Sequence, residues 1–99
     1  MCYDIRRIRL LKMTEGGQYR ILLYRDYYRV LNGPIELKRV NMEDKTEIFY
    51  GDYDEISFSY SGAPIYGGTT VTIGNDKIKR YYKITIVPSS GRILVIDDK

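Results

Sequence analysis

Short connections are the feature that most constrains how this 99-residue chain can fold. From Gln18 onward, runs rich in β-branched and aromatic residues alternate with brief turn signals such as NGP at 32–34 and PSSG at 88–91. Two parallel strands need a crossover of about a dozen or more residues, and none of these connections is that long. The sequence therefore predicts an antiparallel arrangement, with strands at 18–24, 27–31, 35–40, 47–50, 55–60, 69–74, 80–87 and 92–97.

One helix is predicted ahead of these strands, at residues 4–15, where DIRRIRLLKMTE is rich in helix formers and has no Gly or Pro. Gly16 and Gly17 supply its stop, because glycine readily takes the left-handed conformation that ends helices. Asp4 lies near the amino end, where a negative charge favours the helix dipole. The predicted fold class is α+β: an amino-terminal helix at 1–17, packed on antiparallel β-sheets at 18–99 as a roll or sandwich.

The apolar side chains of this helix form two stripes at about 100° per residue. One stripe holds Ile5, Ile8 and Leu11, the other holds Tyr3, Leu10 and Met13, and between them lie Arg6, Arg7, Arg9 and Lys12. One stripe is expected to face the sheet. The second either meets another partner or reflects a short helix that is apolar on more than one side, and the sequence leaves open which stripe does which.

The composition excludes most catalytic and metal chemistry. The chain has no histidine, which removes the commonest general base and the commonest metal ligand. Its one cysteine, Cys2, excludes an internal disulfide and a thiolate cluster. Sixteen Lys and Arg against thirteen Asp and Glu give a formal charge of +3, which is less basic than a dense nucleic-acid patch.

Three local motifs have some features of a functional site, but each is predicted to be structural. SGAPIYGG at 61–68 lacks the lysine of a phosphate-binding loop and leads into a strand, so it is predicted to be a long β-connection. GDYDE at 51–55 lacks the spacing of a calcium loop and is predicted to be a solvated acidic turn. Ser89 and Ser90 have no histidine to activate them. The sequence therefore predicts no catalytic, cofactor or metal site and no enzyme.

The four cations of the helix, with tyrosines scattered over the strands, leave a nucleic-acid interaction open, because aromatic platforms beside a positive groove bind single strands. The tyrosines alternate with acidic residues in YRDYYR at 24–29 and YGDYDE at 50–55, which weakens a positive field. A solvated helix face is the preferred interpretation of these cations.

The stretch 56–96 is similar to the carboxy-terminal part of the GspH/FimT-like pseudopilins, and RLLKMTEGGQYRILLY at 9–24 resembles the helix end and first strand of that family. The matching residues belong to an "F…G.P….GT" segment, a YKI-type strand and an "S…GR" turn: Phe58, Gly62, Pro64, Gly68, Thr69, Tyr82, Lys83, Ile84, Ser90, Gly91 and Arg92.

The resemblance implies a structural minor subunit of a type II secretion or type IV pilus-like filament, assembling with other pilin-like subunits through its amino-terminal helix. The helix residues expected at the contact are Tyr3, Arg6, Leu10 and Met13. No cofactor and no small-molecule substrate is expected. The alternative within the same family is a competence-pilus subunit that contacts DNA.

Proteins of this family begin with a prepilin-peptidase site and a long apolar helix, and neither precedes Tyr3 here. The expectation is that this sequence is the extracytoplasmic head of a membrane-anchored protein, with about 20 or more apolar residues upstream, as a bilayer span requires.

Overall fold

The computed structural model describes residues 1–75 and 77–98. This part of the chain forms one helix, α1 (Cys2–Glu15), followed by eight strands. The strands are β1 (Tyr19–Leu23), β2 (Tyr27–Asn32), β3 (Ile35–Asn41), β4 (Thr46–Phe49), β5 (Glu55–Ser57), β6 (Thr69–Asn75), β7 (Arg80–Ile86) and β8 (Ile93–Asp98). They build two four-stranded antiparallel sheets, ordered β3-β2-β1-β5 and β4-β6-β7-β8. The predicted α+β class is confirmed, with two sheets and one short amino-terminal helix.

Helix α1 ends where the glycine pair predicts. Gly16 adopts φ 76° and its N–H donates to the Lys12 carbonyl at 3.1 Å, so the chain leaves the helix in a conformation that other residues rarely adopt. Ile5 and Ile8 are buried, which identifies theirs as the stripe that packs on the sheets. Leu11, the third member of that stripe, is half-buried at its margin.

Strands β1 and β2 form an antiparallel hairpin, with Tyr19 opposite Asn32 and Leu23 opposite Tyr28. In its turn, the Tyr24 N–H donates to the Tyr27 carbonyl at 3.0 Å. The rings of the same two tyrosines stack with centroids 4.2 Å apart.

The strand predicted at 55–60 is wrong in its second half, because β5 ends at Ser57. Phe58 keeps one isolated bridge to Pro64, and the chain then folds back on itself. The Ser59 N–H donates to the Ala63 carbonyl at 2.8 Å, and the Gly62 N–H donates to the Ser59 carbonyl at 2.9 Å. Apolar and polar residues still alternate as far as Tyr60, which is why the pattern predicted a longer strand. The structure turns before that point, at residues that include serine and glycine, which favour turns.

One connected core joins α1 to both sheets, and most of its members are β-branched or aromatic: Ile5, Ile8, Ile21, Leu23, Tyr28, Val30, Ile48, Ile56, Phe58, Val71, Ile84, Ile86 and Ile93. In the first half of β6 the side chains alternate between the two faces, since Val71 is fully buried and Thr70 is exposed. Each large side chain removed from water in this way contributes about 1.5–3 kcal/mol.

Candidate functional site

One face of α1 is left uncovered by the rest of the described chain. Tyr3 is 67% exposed and Leu10 is 60% exposed, and Met13 and Arg6 are exposed beside them. Their spacing of three, four and three residues places them on one side of a helix with 3.6 residues per turn. We call these four residues the outer helix face. The structure thus brings the residues singled out in the sequence onto one surface, opposite Ile5 and Ile8.

Arg9 bonds α1 to two loops that are distant in the sequence. Its Nε–H donates to the Gly62 carbonyl and its Nη2 donates to the Ser90 carbonyl, each at 2.9 Å. The prediction that all four helix cations are solvated is therefore wrong for Arg9. A charged donor on a neutral carbonyl contributes more than an ordinary hydrogen bond, because the charge strengthens it.

The loop before β6 and the turn before β8 approach each other next to Arg9, and they meet at Gly62 and Gly91. A Cβ added to Gly91 would lie 1.8 Å from the carbonyl oxygen of Gly62, and Gly91 has φ 70°. A Cβ added to Gly62 would lie 2.7 Å from the Sδ of Met13 and from a guanidinium nitrogen of Arg9. Two of the glycines that carry the family resemblance are thus required for this close approach.

A buried carboxylate also links the start of α1 to the β3-β2-β1-β5 sheet. Asp4 is 5% exposed. It accepts a hydrogen bond from the Tyr28 hydroxyl at 2.5 Å and two from the Lys38 ammonium at 3.0 and 3.1 Å. Burial of the phenol, reinforced by the Asp4 carboxylate, raises the pKa of Tyr28 far above its ordinary value.

The sequence predicted only a favourable interaction of Asp4 with the helix dipole. It did not predict the hydrogen bonds of Asp4 to Tyr28 and Lys38. The available signal was its position, since Asp4 precedes Ile8 by four residues and Leu11 by seven, within the apolar stripe. The network leaves no buried side-chain nitrogen or oxygen unsatisfied among the described residues. Because its polar atoms are committed to one another, it is a structural clamp.

Lys12 is also committed, because its Nζ donates to the Gly17 carbonyl at 2.7 Å and lies 4.3 Å from the centroid of the Tyr60 ring. Of the four helix cations, Arg6 and Arg7 are the two exposed ones, and an Arg7 Nη1 donates to the Tyr3 hydroxyl at 3.3 Å. The interpretation of the helix cations as solvated therefore holds for Arg6 and Arg7, and not for Arg9 or Lys12.

An open basic cleft lies where α1 meets the start of β8. Its volume is about 400 Å³, and its lining includes Arg6, Arg9 and Arg92 with Gly91 and Ile93. Within residues 1–75 and 77–96, whose side chains the structure describes, no carboxylate forms an ion pair with Arg6 or Arg92. The cleft could therefore receive an anionic group.

The other sequence candidates make local contacts. Glu55 of the acidic turn forms an ion pair with Arg20 at 3.1 Å. Ser90, whose carbonyl accepts from Arg9, also accepts the Arg92 backbone N–H at its hydroxyl at 3.2 Å. In residues 1–75 and 77–96, no three His, Cys, Asp or Glu side chains are grouped so that they could hold a metal ion. In the same ranges no helix is both long and apolar enough to cross a bilayer.

No protein-family model, curated protein sequence or solved structure matches this chain. Helix α1 is held to the β3-β2-β1-β5 sheet by Asp4 and to two loops by Arg9, and it exposes an apolar face carrying Leu10 on its other side.

Proposed function

We propose that this chain is the globular head of a minor pilin-like subunit of a type II secretion or type IV pilus-like filament, and that it assembles through the outer helix face. The observation that carries the proposal is the exposure of Leu10 and Tyr3 on a helix whose opposite side buries Ile5 and Ile8. Apolar side chains that line one face of a surface helix are typical of a contact with another protein.

The resemblance to the pseudopilins supports the same assignment through residues that have a structural use here. Gly62 and Gly91 allow two loops to meet under Arg9, which holds the helix against both of them. The proposal accordingly takes residues 1–17 as the end of a longer pilin helix, residues 18–99 as the β head, and the whole as a pilin-like roll.

Assembly through such a helix would be head-to-tail. The outer helix face of one copy would meet a different surface on its neighbour, and repeated unequal contacts of this kind generate an open filament. The proposal includes an apolar segment of about 20 or more residues ahead of this sequence that anchors the head outside the cytoplasmic membrane. A genomic reading frame that starts at this Met1 would contradict it.

Leu10→Asp tests the outer helix face. We expect crosslinking to the sibling subunits of the same machine to be lost, because the substitution places a charge in the centre of an apolar contact. The free energy of unfolding should stay within about 0.5 kcal/mol, since Leu10 is already exposed. Chemical crosslinking in cells that express all the subunits measures the first quantity, and urea denaturation of the purified head measures the second.

The matched control is Ile35→Asp, because Ile35 is 62% exposed but lies on β3, away from the outer helix face. Crosslinking should survive in this variant. Loss of crosslinking in both variants, or in neither, would contradict assembly through α1.

A DNA-contacting subunit of a competence pilus is the second candidate, and the open cleft with Arg6 and Arg92 favours it. It predicts that the head is retained on DNA at low salt and released steeply as salt rises, because phosphate contacts release counterions. Arg6→Gln with Arg92→Gln should abolish retention. Failure of the unchanged protein to bind at about 50 mM salt would exclude the candidate.

A further inference from the structure

Two of the four sheet edges are closed by the chain itself. At β4, the Ile48 N–H donates to the Arg25 carbonyl in the β1–β2 turn at 2.7 Å. At β5, the Ser57 carbonyl accepts the Ile65 N–H from the following loop at 3.0 Å. Their backbone groups are thereby engaged and cannot template another strand at these points.

The third edge, β3, is protected by charge. It carries Glu36, Lys38 and Arg39 within seven residues, and its pairing with β2 shifts register between Val30 and Leu31. Charged side chains and an irregular register are common devices that keep an exposed edge from pairing with another chain.

The fourth edge, β8, has neither kind of protection at its centre. Leu94, Val95 and Ile96 are 43%, 48% and 55% exposed, with no charge and no proline among them. Pairing with β7 runs from Ile93 to Asp98 without a register shift. Within the described residues, no backbone group bonds to the outer side of β8. An exposed, regular, apolar edge of this kind is a template for strand addition.

The backbone groups that face outward can be assigned from the hairpin. The Val87 N–H donates to the Arg92 carbonyl at 2.9 Å and the Val87 carbonyl accepts the Gly91 N–H at 2.8 Å, so a bulge begins the ladder and the Arg92 carbonyl points toward the β7 side. Because the residues that bond to the neighbouring strand recur at every second position of an antiparallel ladder, Leu94 and Ile96 bond to β7. The N–H and C=O of Val95 therefore point away from the sheet.

We propose that β8 pairs antiparallel with β8 of a second copy of this chain, about a two-fold axis at Val95. In that register Leu94 faces Ile96 of the partner, and the two Arg92 residues lie at opposite ends of the paired strands. The β4-β6-β7-β8 sheets of the two copies then form one eight-stranded sheet. A parallel pairing in register would place Arg92 of one copy directly opposite Arg92 of the other, so this cation favours the antiparallel arrangement.

Pairing of β8 with β8 of a second copy involves the β4-β6-β7-β8 sheet and does not depend on the outer helix face. It is therefore independent of the proposed filament role, and either can fail without the other. An isologous contact of this kind closes at two copies, whereas a head-to-tail helix contact does not close.

Sedimentation of the purified protein over a concentration series tests the proposal. We expect a monomer–dimer equilibrium that is detectable below about 1 mM, the range of even a weak contact. Val95→Lys should be monomeric throughout, because it places two like charges on the axis, whereas the β-branched control Val95→Thr should still dimerise. Thermal midpoints of the two variants should match within a few degrees, since Val95 is half exposed.

Disulfide trapping in a Cys2→Ser background supplies a direct geometric readout. Residues opposite each other in a hydrogen-bonded pair have Cα atoms about 5.5 Å apart, within disulfide range, so Val95→Cys should crosslink two copies. Ile96→Cys should not, because it is offset from its symmetry mate by about two residues along the strand. A monomer at every concentration, a dimer that survives Val95→Lys, or a dimer lost with Leu10→Asp instead would overturn the proposal.

Discussion

Gly91→Ala is expected to lower the free energy of unfolding by about 4 kcal/mol or more, or to prevent folding. The new methyl group would lie 1.8 Å from the carbonyl oxygen of Gly62, which is backbone and cannot rotate away. Gly91 also has φ 70°, where a side chain is strained in any surroundings. The two loops would have to separate, and Arg9 would then lose at least one of the carbonyls it bonds. Urea denaturation followed by far-ultraviolet circular dichroism measures the loss.

Two further glycines separate the causes of that loss. Gly67 has φ 80°, but a Cβ added there meets nothing within 4 Å, so Gly67→Ala should cost only the conformational strain of about 1–2 kcal/mol. Gly51 also has open space and is not left-handed, so Gly51→Ala should be neutral or stabilising by up to about 1 kcal/mol. If Gly91→Ala cost no more than Gly67→Ala, the close approach of the two loops would be wrong.

Asp4→Ala is expected to lower the free energy of unfolding by about 3 kcal/mol, because it leaves the buried hydroxyl of Tyr28 and the ammonium of Lys38 without their acceptor. Lys38 is half exposed and can turn to water, which keeps the expected loss at the lower end for a broken buried pair. Chemical denaturation at neutral pH measures it. The exposed acid Asp52 supplies the control, and Asp52→Ala should change the free energy of unfolding by less than about 0.5 kcal/mol.

Alkaline pH reports on the same network through Tyr28. Its folded-state pKa is raised above the unfolded value of about 10, so its contribution to stability is complete below about pH 10 and is lost as pH rises further. Tyr28→Phe should remove this part of the pH dependence, whereas Tyr60→Phe should keep it, because Tyr60 is exposed. A free energy of unfolding that is as flat from about pH 9 to 11 in the unchanged protein as in Tyr28→Phe would contradict the network.

The helix and the order of strands were predictable because their signals are local. A run of helix formers before Gly16 defined α1, and apolar alternation between turn residues located all eight strands to within a few residues. The exception is β5, where the alternation through Phe58 continued into a turn. The antiparallel class followed from connection length alone.

The candidate site was predictable only in part. The spacing of Tyr3, Leu10 and Met13 placed them on one helix face, but only packing showed that this face is the exposed one. The role of Arg9 could not be read from the sequence, because its partner Ser90 is 81 residues away. The division of the eight strands between two sheets could not be predicted from the sequence either. Turn residues indicate which strands are neighbours along the chain, but they do not indicate which sheet each strand joins.

What this sequence determined by itself is therefore a helix, a set of antiparallel strands and a pattern of charges, because each depends on residues within a few positions of one another. Only the tertiary structure decided that Asp4 is buried, that Gly91 must lack a side chain and that Leu94, Val95 and Ile96 are exposed on an edge strand. These properties arise from segments that are distant in sequence and adjacent in space. Burial and steric exclusion are set by the whole fold, whereas turn and helix preferences are set residue by residue.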